Sequence, residues 1–326
     1  MTGMMPEPLR TILASGKITE SDALVVRKLV YPDGAIESVE AEWLFNLNDG
    51  CADQCPEWSA LFVEALSDII VWQKAPPGYV MPDDAKWLMS RVDRDGVIAS
   101  ATELELLLNI MEKSRETPPV LVTYVLTQVK TAVLTGAGPL RSGKELVPGV
   151  VDAADVEILR RALYAAGGDK AIAITRAEAE ILCDINDATA ESENDPAWGD
   201  LYVKALANHI MFASGHAVPS RAEMLRREDW LNDTSVDVKR FMLRGAMELF
   251  ERARSGRVRE LFRDEEDAPG IDTSNESVTT SEAMWIADRL NRDGKLAAHE
   301  LALLAFLKRE SPAIHPALKP LIDKVA

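Results

Sequence analysis

The chain has 326 residues, 47% of them hydrophobic and 27% charged, a composition typical of soluble globular proteins and enough chain for two domains of common size. Its 36 basic and 53 acidic residues leave a formal charge of −17, and a net acidic body repels phosphate backbones, which argues against nucleic acid as a partner. No apolar run approaches the roughly 20 residues that cross a bilayer, the opening MTGMMPEPLR lacks the order of a signal peptide, and three cysteines do not make a disulfide framework.

A cytoplasmic location is the resulting expectation. Aromatic residues are only 6% of the chain, Ala and Leu abound, and strand formers rarely cluster, so the fold class expected is all-α.

In chain order, a helix over Ser21–Tyr31 leads into the turn YPDGAI, which contains Asp33. A second helix follows, with Glu40 near its start and Asn48-Asp49 at its end. The loop after it carries Cys51 and Cys55 as C-x₃-C; zinc would need two further soft or imidazole ligands, and no histidine lies nearby in sequence. A third helix opens at Pro56, where a proline in the first turn loses no needed hydrogen bond. Trp58 heads it, above an apolar stripe of Leu61, Phe62, Ala65, Leu66 and Ile69. Asp83–Ser114 then reads as helix, turn (VDRDGVI) and helix, with Glu103 near the start of the second helix. The Gly/Pro/Ser-rich stretch Gly136–Gly149 ends this half.

The same order then returns. ADVEILRRALY matches SDALVVRKLVY, AITRAEAEILCDIND matches AIESVEAEWLFNLND, and PAWGDLYVKALANHI matches PEWSALFVEALSDII. These alignments set Glu178 on Glu40, Asn186 on Asn48, Asp187 on Asp49 and Trp198 on Trp58. Ser281–Ser311 matches Asp83–Ser114, with Trp285 on Trp87, Asp293-Gly294 on Asp95-Gly96 and Glu300 on Glu103. The chain is therefore read as a duplicated helix-turn-helix array, A–B–A′–B′, with halves at 1–148 and 149–326 and a helical insertion at about 221–277.

The four turns (YPDGAI, VDRDGVI, AGGDKAIAI and LNRDGKL) each lead to a carboxylate, at Glu40, Glu103, Glu178 and Glu300. This arrangement resembles the TerB-like family of bacterial helical domains, whose helices are joined by Asp-Gly turns with nearby acids. Asp33-Gly34-Ala35-Ile36 followed by Glu40 carries that likeness most fully. The turns also resemble degenerate EF-hand loops. The resemblance covers most of the chain apart from 221–277. It implies an all-helical fold and a loose association with stress or tellurite response.

As EF-hands the loops lack ligands, because calcium takes six to eight oxygens with acids or amides at positions 1, 3 and 5. Counted from Gly294, position 1 is Arg289, followed by Asn291, Asp293 and Glu300 at positions 3, 5 and 12. The structural account gives the carboxylates to helix caps: Ser100-x-x-Glu103 and Thr175-x-x-Glu178 fit the capping box, whereas Glu40 and Glu300 lack a hydroxyl partner. Asp49 and Asp187 stand at helix C-termini, where a carboxylate opposes the dipole, so their recurrence suggests another use. Asp33, Glu40, Asp49, Glu178, Asp187, Asn291, Asp293 and Glu300 are accordingly the candidate ligands for a weakly bound Ca²⁺ or Mg²⁺; otherwise no cofactor is expected.

Of the four histidines only His209 falls on a clear apolar helix, where a satisfied buried imidazole is expected, and no nucleophile elbow, zinc-protease helix or phosphate loop occurs. In the insertion, 239–263 holds eight basic residues against three acidic ones. It reads as a basic amphipathic helix that docks on the acidic repeats of its own chain, with an anionic membrane surface or an acidic protein as the alternatives. The leading expectation is a non-enzymatic interaction or scaffold protein with a protein partner. A divalent-cation sensor is the first alternative, and a hydrolase using carboxylates between repeats is the second.

Overall fold

The computed structural model describes residues 5–32, 34–98, 100–138, 147–165, 174–213, 280–290, 292, 296–310 and 316–323. Among them the architecture is helical, with strands of only two residues each, as the composition leads one to expect. The insertion at about 221–277, with its basic segment 239–263, lies outside the described residues, and so do Asp33, Asn291 and Asp293. The chain divides into two compact units, Met1–Pro148 with Glu157–Gly168, and Gly149–Val156 with Asp169–Ala326.

The first unit begins with α1 (Glu7–Ser15), which stops at Gly16 in the left-handed conformation that frees a chain from a helix. In α2 (Glu20–Val30) Thr19 and Asp22 cap one another's backbone amides. Then come α3 (Ser38–Gly50), α4 (Pro56–Ser67), a wide π-helical turn over Asp68–Gln73, α5 (Pro82–Val92), α6 (Ala101–Lys113) and α7 (Pro119–Thr135). Short strand β1 (Lys17–Ile18) pairs in parallel with β2 (Asp53–Gln54). The core is built of Leu9, Val26, Leu44, Phe45, Trp58, Phe62 and Leu66, none of which reaches solvent. Helices α4 and α6 pack along their length, joined by Ser59–Thr102 and Ser67–Asn109 hydrogen bonds.

Helices α1 and α7 stand outside the paired-helix plan read from the repeats. In α7 the buried positions Leu121, Val122, Val125, Leu126, Gln128, Val129, Ala132 and Val133 share one half of the helix circumference, and Thr123, Thr127, Lys130 and Thr131 lie on the other. The role of α7 is to close the Asp-Gly turn between α5 and α6. That turn is a miniature hairpin of β3 (Asp93–Arg94) and β4 (Val97–Ile98). Both central residues, Asp95 and Gly96, have positive φ (54° and 88°), as a two-residue hairpin matching the strand twist requires. From α7, Gln128 accepts from Ile98 N and donates to Gly96 O, each at 3.0 Å, and Tyr124 donates to Asp93 at 3.1 Å. Burial and the Asp93 carboxylate hold the Tyr124 phenol well above its ordinary pKa, so it remains a donor.

Helix α8 (Ala153–Ala165) sends Arg161 onto α6, where the guanidinium forks over Glu105 (2.7 and 2.8 Å) and Glu112 (2.6 and 3.1 Å). This planar two-carboxylate clamp is a geometry that lysine cannot copy.

The second unit contains α9 (Arg176–Ala188), α10 (Pro196–Ala213), α11 (Thr280–Arg289), α12 (Ala298–Glu310), a 3₁₀ turn over Pro316–Leu318 and the short α13 (Lys319–Ile322). Its core includes Leu182, Trp198, Tyr202, Leu303 and Leu304, all inaccessible. Helix α10 packs on α12 so closely at Gly199 that a Cβ there would stand 2.8 Å from His299 Nε2.

Trp58 and Trp198 are both fully buried, and each lies beside an aromatic neighbour one turn along its helix, Phe62 and Tyr202. Truncating either ring leaves a cavity too large for the packed surroundings to close. Trp58→Ala and Trp198→Ala should each cost about 3–5 kcal/mol in denaturant unfolding. A loss below about 1 kcal/mol would contradict a core role for these rings.

Candidate functional site at the acidic turns

A helix leaves its first backbone amides without partners inside the helix, and where the start is buried, water does not supply them. Glu103, only 1% exposed, resolves this for α6: Ser100 N donates to Glu103 Oε2 at 3.0 Å, and Glu103 N donates to Ser100 Oγ at 3.2 Å. Glu178 does the same for α9 through Thr175, at 2.8 and 3.3 Å. These are the two capping boxes legible in the sequence.

Glu40 and Glu300 were expected to lack a capping partner, and here the structure differs. Glu37 N donates to Glu40 Oε2 at 3.0 Å, and Ala297 N donates to Glu300 Oε2 at 2.7 Å. The reason is that the backward half of a capping box uses only the backbone amide of the N-cap residue, so a hydroxyl there is unnecessary.

The carboxylates at the ends of α3 and α9 also have partners. Arg94, in the turn hairpin, pairs with Asp49 at 2.6 Å, and Arg91 of α5 pairs with Glu42 at 3.2 Å. Arg289, with a side chain 2% exposed, reaches Asp187 at 2.5 Å and Asp184 at 2.8 Å. An arginine thus compensates each acid that opposes its helix dipole. Nothing in the local sequence of the acids announces these partners, because each comes from a different element.

The asparagines beside those acids tie helices together. Asn48 Oδ1 accepts from Trp58 Nε1 and Gln54 Nε2, both at 3.3 Å, while Asn48 Nδ2 donates to Glu103 Oε1 at 3.3 Å. In the second unit Asn186 Oδ1 meets His299 Nδ1 at 2.9 Å. Asp49 lies close enough to Glu103 to add to the effect of burial, which is the main cause raising the Glu103 pKa. Glu178 is likewise raised, by burial against the opposing pull of its two Thr175 hydrogen bonds.

The structure therefore brings Asp49 near Glu103 but keeps Glu40 in its own turn. Among the described residues no three His, Cys, Asp or Glu side chains gather into a group that could hold a metal ion. The cysteines are free thiols. Burial and Asp22 raise the pKa of Cys51, and burial pushes Cys183 up to about 11, so neither is a ready thiolate. His209 is buried, with Nδ1 donating to Ile174 O at 2.7 Å and its ring edge-on to Trp285.

No protein-family model, no curated protein and no solved structure matches the chain.

Two groups, half-buried His299 and buried Glu178, give opposite pH responses. Burial lowers the His299 pKa from 6.5, so below about pH 6.5 the unfolded chain binds a proton that the native state does not. Stability from this group is full above pH 6.5 and is lost as pH falls toward the depressed value. Glu178 is raised from 4.5, so the native state holds the extra proton, and stability from this group falls as pH rises through the window above 4.5. Melting scans from pH 4 to 7 should show His299→Gln losing less stability on acidification than the parent. Glu178→Gln, which keeps the capping oxygen, should flatten the opposite slope. Unaltered pH profiles in both variants would remove these assignments.

Proposed function

We propose that the chain is a non-enzymatic interaction scaffold built from an A–B–A′–B′ duplication of TerB-like helical units, bacterial, cytoplasmic and loosely stress-associated. The observation that carries the reading is the engagement of the turn acids: Glu40, Glu103, Glu178 and Glu300 each accept a helix N-cap amide, and Asp49 and Asp187 each hold an arginine. Carboxylates committed in this way are poorly placed to bind a cation or to move protons in a cleft, which favours a structural use over the sensor and hydrolase alternatives. The duplication is supported by matched pairs that do the same local work, Glu103 and Glu300 as caps and Trp58 and Trp198 as buried rings. No described helix is long and apolar enough to cross a membrane. Stacked helix pairs offer broad surfaces for a protein partner without a reactive constellation.

The cation alternative makes an opposite prediction, because a ligand bound only by the native state raises stability by about 2.7 kcal/mol at a hundredfold excess over its dissociation constant. The melting temperature of the full chain should stay within about 1 °C on adding calcium or magnesium at about 5 mM, where specific binding would shift it by several degrees. A rise of that size, abolished by Glu178→Gln or Asp187→Asn, would replace the scaffold reading with a cation sensor.

A further inference from the structure

We infer that a cleft in the first unit, bounded by the end of α2, the α4–π-turn segment and the C-terminus of α6, is a binding site for a small anion that carries a flat unsaturated ring. It is open to solvent along one side and has a volume of about 510 Å³, within the range of small-molecule sites. Two aromatic side chains line it. Trp72, in the π-helical turn, is 45% exposed, an unusual position for an indole in a chain whose other large rings include the fully buried Trp58 and Trp198. Tyr31, at the C-cap of α2, has its phenol pushed up to about 12 by burial and by the Asp68 and Glu64 carboxylates, so its hydroxyl stays a hydrogen-bond donor.

The charges in the cleft decide the ligand's sign. Both carboxylates are already engaged: Glu64 takes both ends of the Arg27 guanidinium, and Asp68 accepts from the Gln73 amide. Gln73 is itself fixed, its Oε1 accepting from Ile36 N at 2.8 Å, so the wall carrying Trp72 is held in place. Two ammonium groups, Lys28 from α2 and Lys113 from α6, line the same space with no hydrogen-bond or ion-pair partner among the described residues. With Arg27 they give three cations against two anions, a net positive lining on a chain of net charge −17. Each lysine also sits in the last turn of its helix and suits that helix's dipole. Dipole compensation alone does not require the two helices to converge their lysines beside an exposed indole. A ring stacked on Trp72 with its anionic group between the two ammoniums and the Tyr31 hydroxyl uses all four features at once.

The anionic group is a carboxylate or a phosphate, two sources with the same requirement for cations. The test uses the full chain in low-salt buffer and titration calorimetry with 2-naphthoate and adenosine monophosphate. Neutral 2-naphthalenemethanol, adenosine and inorganic phosphate are the ringed and ringless controls. At least one of the two ring anions should bind with a submillimolar dissociation constant, the tighter one naming the anionic group, and its controls should bind about tenfold or more weakly. Lys28→Ala with Lys113→Ala should weaken that binding about tenfold or more while leaving the melting temperature in place, because both lysines are at the surface. Trp72→Leu should weaken it as well, and Lys86→Ala, an exposed lysine outside the cleft, should not. Two results would overturn the inference: no binding of either ring anion at about 5 mM, or binding that the double lysine variant leaves unchanged.

Discussion

Every helix that begins in a packed interior must find acceptors for its first amides, and in this chain a glutamate three residues into the helix supplies one after each turn. The arrangement is finely balanced. Taking a carboxylate out of water costs several kcal/mol, while a hydrogen bond to a charged acceptor contributes about 1.5–3 kcal/mol and the helix dipole favours a negative charge at this end. Glu103 receives donors from Ser100 and Asn48, and Glu178 from Thr175, yet burial still raises the pKa of both. Desolvation outweighs the hydrogen bonds at these two sites. The caps thus fix where each helix starts more than they add to net stability, and the stability itself resides in the buried apolar cores around Trp58 and Trp198.

The arginines answer the opposite problem, acids at helix C-termini. Their weights differ with burial. Arg94 and Asp49 are both substantially exposed, so their pair is worth about 0–1 kcal/mol. Arg289 is nearly inaccessible and holds Asp184 and Asp187 together, but both carboxylates are more than a third exposed, so the grouping falls short of the about 3–5 kcal/mol that breaking a fully buried pair costs. Arg161, clamped on Glu105 and Glu112, is arranged alike, a largely covered guanidinium whose carboxylates are partly in water.

The helical class and the start of several helices are legible in the sequence because their signals are local. Ser100-x-x-Glu103 and Thr175-x-x-Glu178 lie within one helical turn, as does Pro56 two residues before Trp58. Glu40 and Glu300 escape the same pattern only because Glu37 and Ala297 stand where a hydroxyl residue is sought. Other features depend on chain that is distant in sequence. The hairpin at Asp93–Ile98 is held by Gln128 and Tyr124, some thirty residues on, and Asp187 meets Arg289 across 102 positions. The cleft of Lys28, Trp72 and Lys113 has no motif at all, since three separate segments build it. Periodicity marks which face of a helix is buried but not which neighbour covers it, so the covering of the Asp93–Ile98 hairpin by α7 is not legible from the α7 pattern.

The claim that the turn glutamates serve backbone amides rather than a metal ion is tested most directly at the amides themselves. Native-state hydrogen exchange at Ser100 N and Thr175 N, measured in chelator and again with magnesium or calcium at about 5 mM, reads the hydrogen bonds to Glu103 and Glu178 without altering the chain. The account predicts strong protection of both amides in chelator and no change on adding cation. Exchange at the rate of an open chain in chelator, with protection appearing only when the cation is present, would contradict it.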